Sequence, residues 1–217
     1  MTDRAGLNKG DAAAGLTPRA RLVHQVILSA FVHDGQAPAR ADLAGIVGAA
    51  GVDLAAALGE LTAADLIVTG HRGALAATYP FSATPTGHRL TLAGGTRVYA
   101  MCATDALGTS AMLGQPVTIT SAEPGTGKRI RVRVNGEQAA WDPPTARVYA
   151  AASEDCCAPS AKRTCGYINF FTTEAAARAW AAARPVLTGT LLGQARALAA
   201  DIAEFGALLH DPPGDRE

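Results

Sequence analysis

Residues 117–134 read VTITSAEPGTGKRIRVRV, a stretch in which apolar and polar side chains alternate. Val117, Ile119, Ile130, Val132 and Val134 fall on one side, and Arg129, Arg131 and Arg133 on the other. A period of two is that of a β-strand with one buried face. Pro124-Gly125-Thr126-Gly127 supplies turn chemistry between the two halves, so the stretch predicts a β-hairpin in an antiparallel sheet. The arginine row reads as the solvated face of that sheet and receives no function.

Downstream, Trp141-Asp142-Pro143-Pro144 predicts a turn and Ala146 to Ala151 a strand. A polar, cysteine-bearing loop from Ser153 to Thr164 leads into GYINFF, residues 166–171, an apolar run expected to be a central strand. Thr172 or Thr173 then caps a helix that passes Trp180 and stops before Pro185. A last helix is expected from about Thr190 to Leu209, with a frayed tail after it.

Upstream, Arg89 to Leu92 predicts a strand, Gly94-Gly95 a turn, and Val98 to Leu113 a strand running into an alanine-rich helix closed by Gly114. Before YPFSATPTGH, residues 79–88, the pattern is helical. Pro18 opens a helix capped by Thr17 and running to about His33, Pro38 opens a second through Ala50, and Asp53 caps a third from Leu54 to Ala64. Short strands near Leu66 to Thr69 and Ala74 to Thr78 flank Gly70 to Gly73. The fold class is therefore α+β: a disordered lead-in over 1–17, a winged-helix-like three-helix domain over 18–80, and a mixed or antiparallel-sheet catalytic domain with flanking helices over 81–217.

Charge narrows the partners. Lysine plus arginine and aspartate plus glutamate both number 19, so no net field draws in nucleic acid or an anionic membrane. In the position of a recognition helix, VDLAAALGELTAADL carries Asp53, Glu60 and Asp65 and no Lys, Arg, Asn or Gln to reach phosphates or bases, which argues against DNA binding. No secretory signal and no run of ~18 apolar residues is present, so a cytoplasmic protein is expected, a monomer or weak dimer acting on a small neutral molecule. In a reducing compartment its four cysteines, Cys102, Cys156, Cys157 and Cys165, read as thiols or metal ligands.

Cys102 and Asp105 are three apart at the start of the predicted helix MCATDALGTSAML, which puts thiol and carboxyl on one face. A helix N-terminus would lower the Cys102 pKa, whereas Asp105 could carry a proton at neutral pH only if burial raised its own. Cys165 lies beside a loop holding two further thiols, and thiolates select soft metals. With no CxxC pair and no histidine nearby, a closed structural zinc site is poorly supported, although an all-thiolate set of Cys102, Cys156, Cys157 and Cys165 remains open. Tyr99, Phe170 and Phe171 could line a pocket but read more readily as core. The histidines, His24, His33, His71, His88 and His210, offer no catalytic base.

Together, RVYAMCATDALGTSAMLG (97–114) and TCGYINFFTTEAAARAW (164–180), with YPFS (79–82) and the helical first region, resemble the alkylmercury (organomercurial) lyase family. The resemblance implies protonolytic cleavage of a carbon-mercury bond. Cys102 is then the first thiol to take up the organomercurial, Cys165 the second sulfur, and Asp105 the proton carrier. It also implies Hg(II) held as product by Cys102, Cys165 and Asp105, no required cofactor, external thiols as acceptors and a mercuric reductase as a product recipient. Cys156 and Cys157, which that chemistry does not need, are expected to be bystanders or, next, a mercury relay, rather than a strained vicinal disulfide. Two other readings use the same residues: a thiophilic-metal-binding or organometal-processing protein of this fold without lyase activity, and a winged-helix metal sensor.

Overall fold

The computed structural model describes residues 8–153, 160–206 and 208–209. Helices come first: α1 (Lys9–Ala14), α2 (Pro18–Asp34), α3 (Arg40–Gly48) and α4 (Leu54–Ala63). Their caps follow the sequence. The Thr17 hydroxyl accepts from the Ala20 N–H, the Asp53 carboxylate from those of Ala55 and Ala56, and Gly35 closes α2 at φ 76°, the left-handed conformation that glycine adopts without a Cβ clash. The lead-in differs from expectation, because Asn8 caps α1 and both Ala13 and Leu16 enter the core. A helix of six residues is too short to read by periodicity.

Strands β1 (Ile67–Thr69), β2 (Leu75–Thr78), β3 (Phe81–Ser82), β4 (His88–Leu92) and β5 (Arg97–Ala100) precede helix α5 (Ala103–Leu113). After it come β6 (Val117–Ala122), β7 (Arg129–Asn135) and β8 (Gln138–Asp142). Among the described residues these eight strands form one antiparallel sheet in the order β1-β2-β3-β5-β4-β6-β7-β8. The β6–β7 hairpin is as read: Val117, Ile119, Ile130, Val132 and Val134 are all buried, and Ile119 pairs with Val132. Trp141 and Asp142, expected in a turn, instead end β8, which pairs with β7 from Asp142 opposite Arg131 to Gln138 opposite Asn135. The Asp-Pro-Pro signal ends that strand, and the turn follows at once, with the Ala146 N–H donating to the Pro143 carbonyl at 3.0 Å.

A second sheet, in the order β10-β9-β11, joins β9 (Arg147–Ala152), β10 (Ile168–Phe171) and β11 (Thr188–Leu192), with α6 (Ser160–Arg163), α7 (Glu174–Ala182) and α8 (Gln194–Phe205) around it. Three expectations fail here. Residues Ser160–Arg163 are helical rather than loop, Thr190 lies in β11 rather than in the last helix, and β10 is an edge strand while β9 is central. The apolar run INFF reflects burial on both faces: Phe170 stacks edge-on against His88 and Trp141, while Phe171 packs on Trp180 of α7. Two covered faces make an edge strand look central.

Helix α5 is buried along nearly its whole length, under α8. Gly108 makes that contact possible, since an added Cβ would lie 2.6 Å from Phe205 Cδ2 and 2.7 Å from the Asp201 carbonyl oxygen. No helix among the described residues is long and apolar enough to cross a membrane.

Candidate active site

Strand β5 delivers the chain to the start of α5, where Cys102 is the N-cap residue. Its sulfur makes no capping bond to the backbone and lies 3.0 Å from the Thr104 hydroxyl. Asp105, in the first turn, is 3% exposed, and its Oδ2 is buried with no hydrogen-bond partner. An orphaned carboxylate oxygen is costly if charged and tolerable if protonated. Burial first, then the neighbouring Cys165 sulfur, push the Asp105 pKa well above the usual carboxylate range. Burial pushes Cys102 up as well, with Cys165 and Asp105 adding to it. The helix start does not make Cys102 the thiolate, because desolvation outweighs the macrodipole in so closed a setting.

Cys165 is placed from the other side. The Thr164 N–H and hydroxyl both bond to the Ser160 carbonyl, which fixes the turn leading to Cys165. The Ser160 hydroxyl donates a short hydrogen bond to Asp65, whose carboxylate also accepts from the Ser160 N–H. Lys9 of α1, only 4% exposed, donates to the Asp65 carbonyl at 2.7 Å and carboxylate at 2.8 Å. Its ammonium also sits 4.0 Å from the centroid of the Tyr79 ring. The Tyr79 hydroxyl lies 3.5 Å from Cys165 Sγ. Contact with the Cys102 thiol holds the Cys165 pKa below its ordinary value against the opposing effect of burial, helped by Tyr79, Thr164 and the charge of Lys9.

The two halves meet. The sulfurs of Cys102 and Cys165 and a carboxylate oxygen of Asp105 all lie within 4.8 Å of one another, all three residues buried. Both thiols are free. The three residues singled out in the sequence are therefore brought together across a long stretch of chain. Cys156 and Cys157 lie outside the described residues. Phe170 and Phe171 are fully buried core, and Tyr99 is half-buried. Sequence reasoning missed Lys9, Asp65, Tyr79 and Ser160, and only Tyr79 left a trace, as the first residue of YPFS. His88, set aside as a base in the sequence, is held neutral by burial, with its pKa down at about 4, and bonds Ser121 at 2.9 Å.

Two free thiols and one carboxyl, closed together in an α+β core, define a dithiol-carboxyl site suited to a single soft metal atom. The alkylmercury lyase family pattern matches residues 81–205, more than half of the chain. The chain belongs to the alkylmercury lyase family. It is 32% identical over 132 residues to the alkylmercury lyase of Streptomyces lividans, covering 60% of each, and 32% identical over 102 residues to that of Staphylococcus epidermidis, covering 47% of each. The matches thus span about half the length of these curated relatives. The crystal structure of the mercury-bound form of MerB2 shares the fold, with a TM-score of 0.74 at 24% identity, covering 94% of this chain and 99% of that one.

Proposed function

We propose that the protein is an organomercurial lyase that splits a carbon-mercury bond by protonating the carbon. One observation carries the reading: two sulfurs and a carboxyl oxygen inside 4.8 Å, the arrangement that one mercury atom and one transferable proton require. Mercury in an R-Hg(II) substrate is soft and prefers thiolates to oxygen ligands. When Cys102 and Cys165 bind it in turn, the Cys102 proton passes to Asp105, and electron density from two sulfurs makes the carbon basic. Asp105 then delivers that proton to the carbon. The hydrocarbon R-H leaves and Hg(II) stays on the sulfurs, with no change of oxidation state at mercury.

The raised pKa of Asp105 supports its role as the acid, since an exposed aspartate near ~3.9 is rarely protonated at neutral pH. No resident cofactor is needed. Helices α2 to α4 and the β1–β2 hairpin make up a winged-helix-like region, residues 18–80, that covers the catalytic region of residues 81–217 instead of binding DNA, in keeping with its acidic α4. The protein acts in the reducing cytoplasm as a monomer or weak dimer, and external thiols or a mercuric reductase take its Hg(II).

The test is to incubate purified protein with phenylmercury or methylmercury and excess thiol, and to measure benzene or methane in the headspace. Catalytic hydrocarbon release is expected. Stoichiometric mercury binding without hydrocarbon would leave a metal-binding protein of the same fold.

A further inference from the structure

A cavity of about 330 Å³ has Cys165 in its wall. Ser82, Thr84, Thr86, Met101 and Asn169 line it, and neither Cys102 nor Asp105 does. Of the two cysteines, Cys165 is therefore the one on the cavity wall, at 6% exposure against 2% for Cys102. No lysine, arginine, aspartate or glutamate contributes to the lining. His88, also in the wall, is engaged with Ser121.

Two glycines in the lining, Gly87 and Gly166, have neither a positive φ nor any atom within 4 Å of where a Cβ would stand. Neither backbone conformation nor packing demands glycine there. What their side chains would otherwise occupy is open space beside Cys165.

We infer that this cavity docks the carrier thiol of an incoming organomercurial, a small polar thiol bound as R-Hg-SR′, and that Cys165 is the sulfur that captures the mercury from it. The inference rests on the lyase reading and adds a subsite to it. The carbon of R must end within reach of Asp105, which is not on the cavity wall, so the group that occupies the cavity is the one that leaves. Hydroxyls and a carboxamide suit a polar carrier better than an alkyl or aryl group, which gains by burial among apolar atoms. In the exchange, the Cys165 thiolate forms an Hg-S bond, the Hg-S bond to the carrier breaks, and the carrier departs as R′S⁻ through the cavity. Cys102 then closes on the mercury from inside. This order is the reverse of the one implied by the family resemblance.

The experiment measures mercury uptake by the full chain by rapid quench and intact mass, separately from benzene release in a single turnover. Phenylmercury is supplied as its glutathione adduct, its 2-mercaptoethanol adduct or its chloride. Gly87→Phe fills the cavity, and Thr84→Trp crowds its rim should the first variant fail to fold. Uptake from the glutathione adduct should fall about tenfold more than uptake from the chloride in the variant. Equal slowing from all three donors, or no slowing, overturns the docking site. Peptide mapping should show Cys102→Ala keeping fast uptake on Cys165 and Cys165→Ala losing it, and the opposite pattern overturns the capture order. Discriminating uptake with no benzene would sink the lyase reading and leave the docking site standing.

Discussion

The two sulfurs of this site sit in opposite environments although they face each other. Cys102 and Asp105 share the first turn of α5, where burial raises both pKa values and leaves Asp105 Oδ2 without a partner. Cys165 instead lies against groups that favour its charged form: the Cys102 thiol, the Tyr79 hydroxyl and Thr164, with the Lys9 charge behind them. One half is built to hold protons and the other to hold negative charge. A protonolytic site needs both at once, because a nucleophilic sulfur and an available acid placed in the same environment would neutralise each other.

The sharpest way to break that division is to remove one function from each half. Asp105→Asn keeps both sulfurs and should bind phenylmercury stoichiometrically, yet lose hydrocarbon release by ~10² to 10⁴, the usual contribution of a positioned acid. Cys165→Ser should instead lose uptake itself. Headspace hydrocarbon and bound mercury, measured on both variants, separate the two; normal turnover by Asp105→Asn would remove the acid from the mechanism.

Tyr79→Phe tests the thiolate half alone. The Cys165 thiol donates to the Tyr79 oxygen, and once it has lost its proton it can accept from the Tyr79 hydroxyl instead. A hydrogen bond to a charged group contributes ~1.5–3 kcal/mol, so its loss should slow modification of Cys165 by iodoacetamide at neutral pH by about tenfold or more, while Cys102 is unaffected. Peptide-resolved alkylation rates provide the check, and unchanged Cys165 reactivity would show that the 3.5 Å contact does not stabilise the sulfur.

A smaller effect is expected from Lys9→Met, which keeps the stem of the side chain and removes its charge. Asp65 keeps its bonds from Ser160, so the segment leading to Cys165 should loosen rather than collapse, slowing turnover a few-fold and costing ~1–3 kcal/mol of stability. Denaturant unfolding and steady-state rates measure both. Lys9→Arg, which keeps the charge, should recover part of the loss, a result that mere packing of the stem would not give.

The same contrast explains what could be read from the sequence. The acid-holding half was legible because Cys102 and Asp105 are three residues apart on one helix, and local spacing survives any fold. Cys165 was legible through its own segment, TCGYINFF. The surroundings of Cys165 were not, because they come from four places at once: Lys9 in a short helix, Asp65 after α4, Tyr79 before β3 and Ser160 in α6. A lysine in a polar, glycine-rich stretch gives no hint of burial, since the partners that justify it are 56 and 151 residues away. The sheet was half legible for a related reason. Alternation in β6 and β7 reports one wet face, whereas β10 is apolar because α7 covers it, and that cover is not a local property.

The smallest expected effect has the opposite sign in the two halves. Lys9→Met should lower stability, but Asp105→Asn should raise it. The pKa of Asp105 is higher folded than unfolded, so the native state binds its proton more tightly than the unfolded chain does. Its contribution to stability is fully present below the unfolded pKa near 3.8 and is lost as pH rises through the folded value. An asparagine has no proton to lose, so the variant should match the parent near pH 4 and pull ahead as pH rises toward neutrality. A gain of ~1 kcal/mol corresponds to about 2–4 °C in Tm for a chain of this size. Tm measured at several pH values decides it. A gap that stays flat with pH, or a variant less stable at pH 7, would mean that Asp105 is compensated in the native state and the proton-holding half of the comparison is wrong.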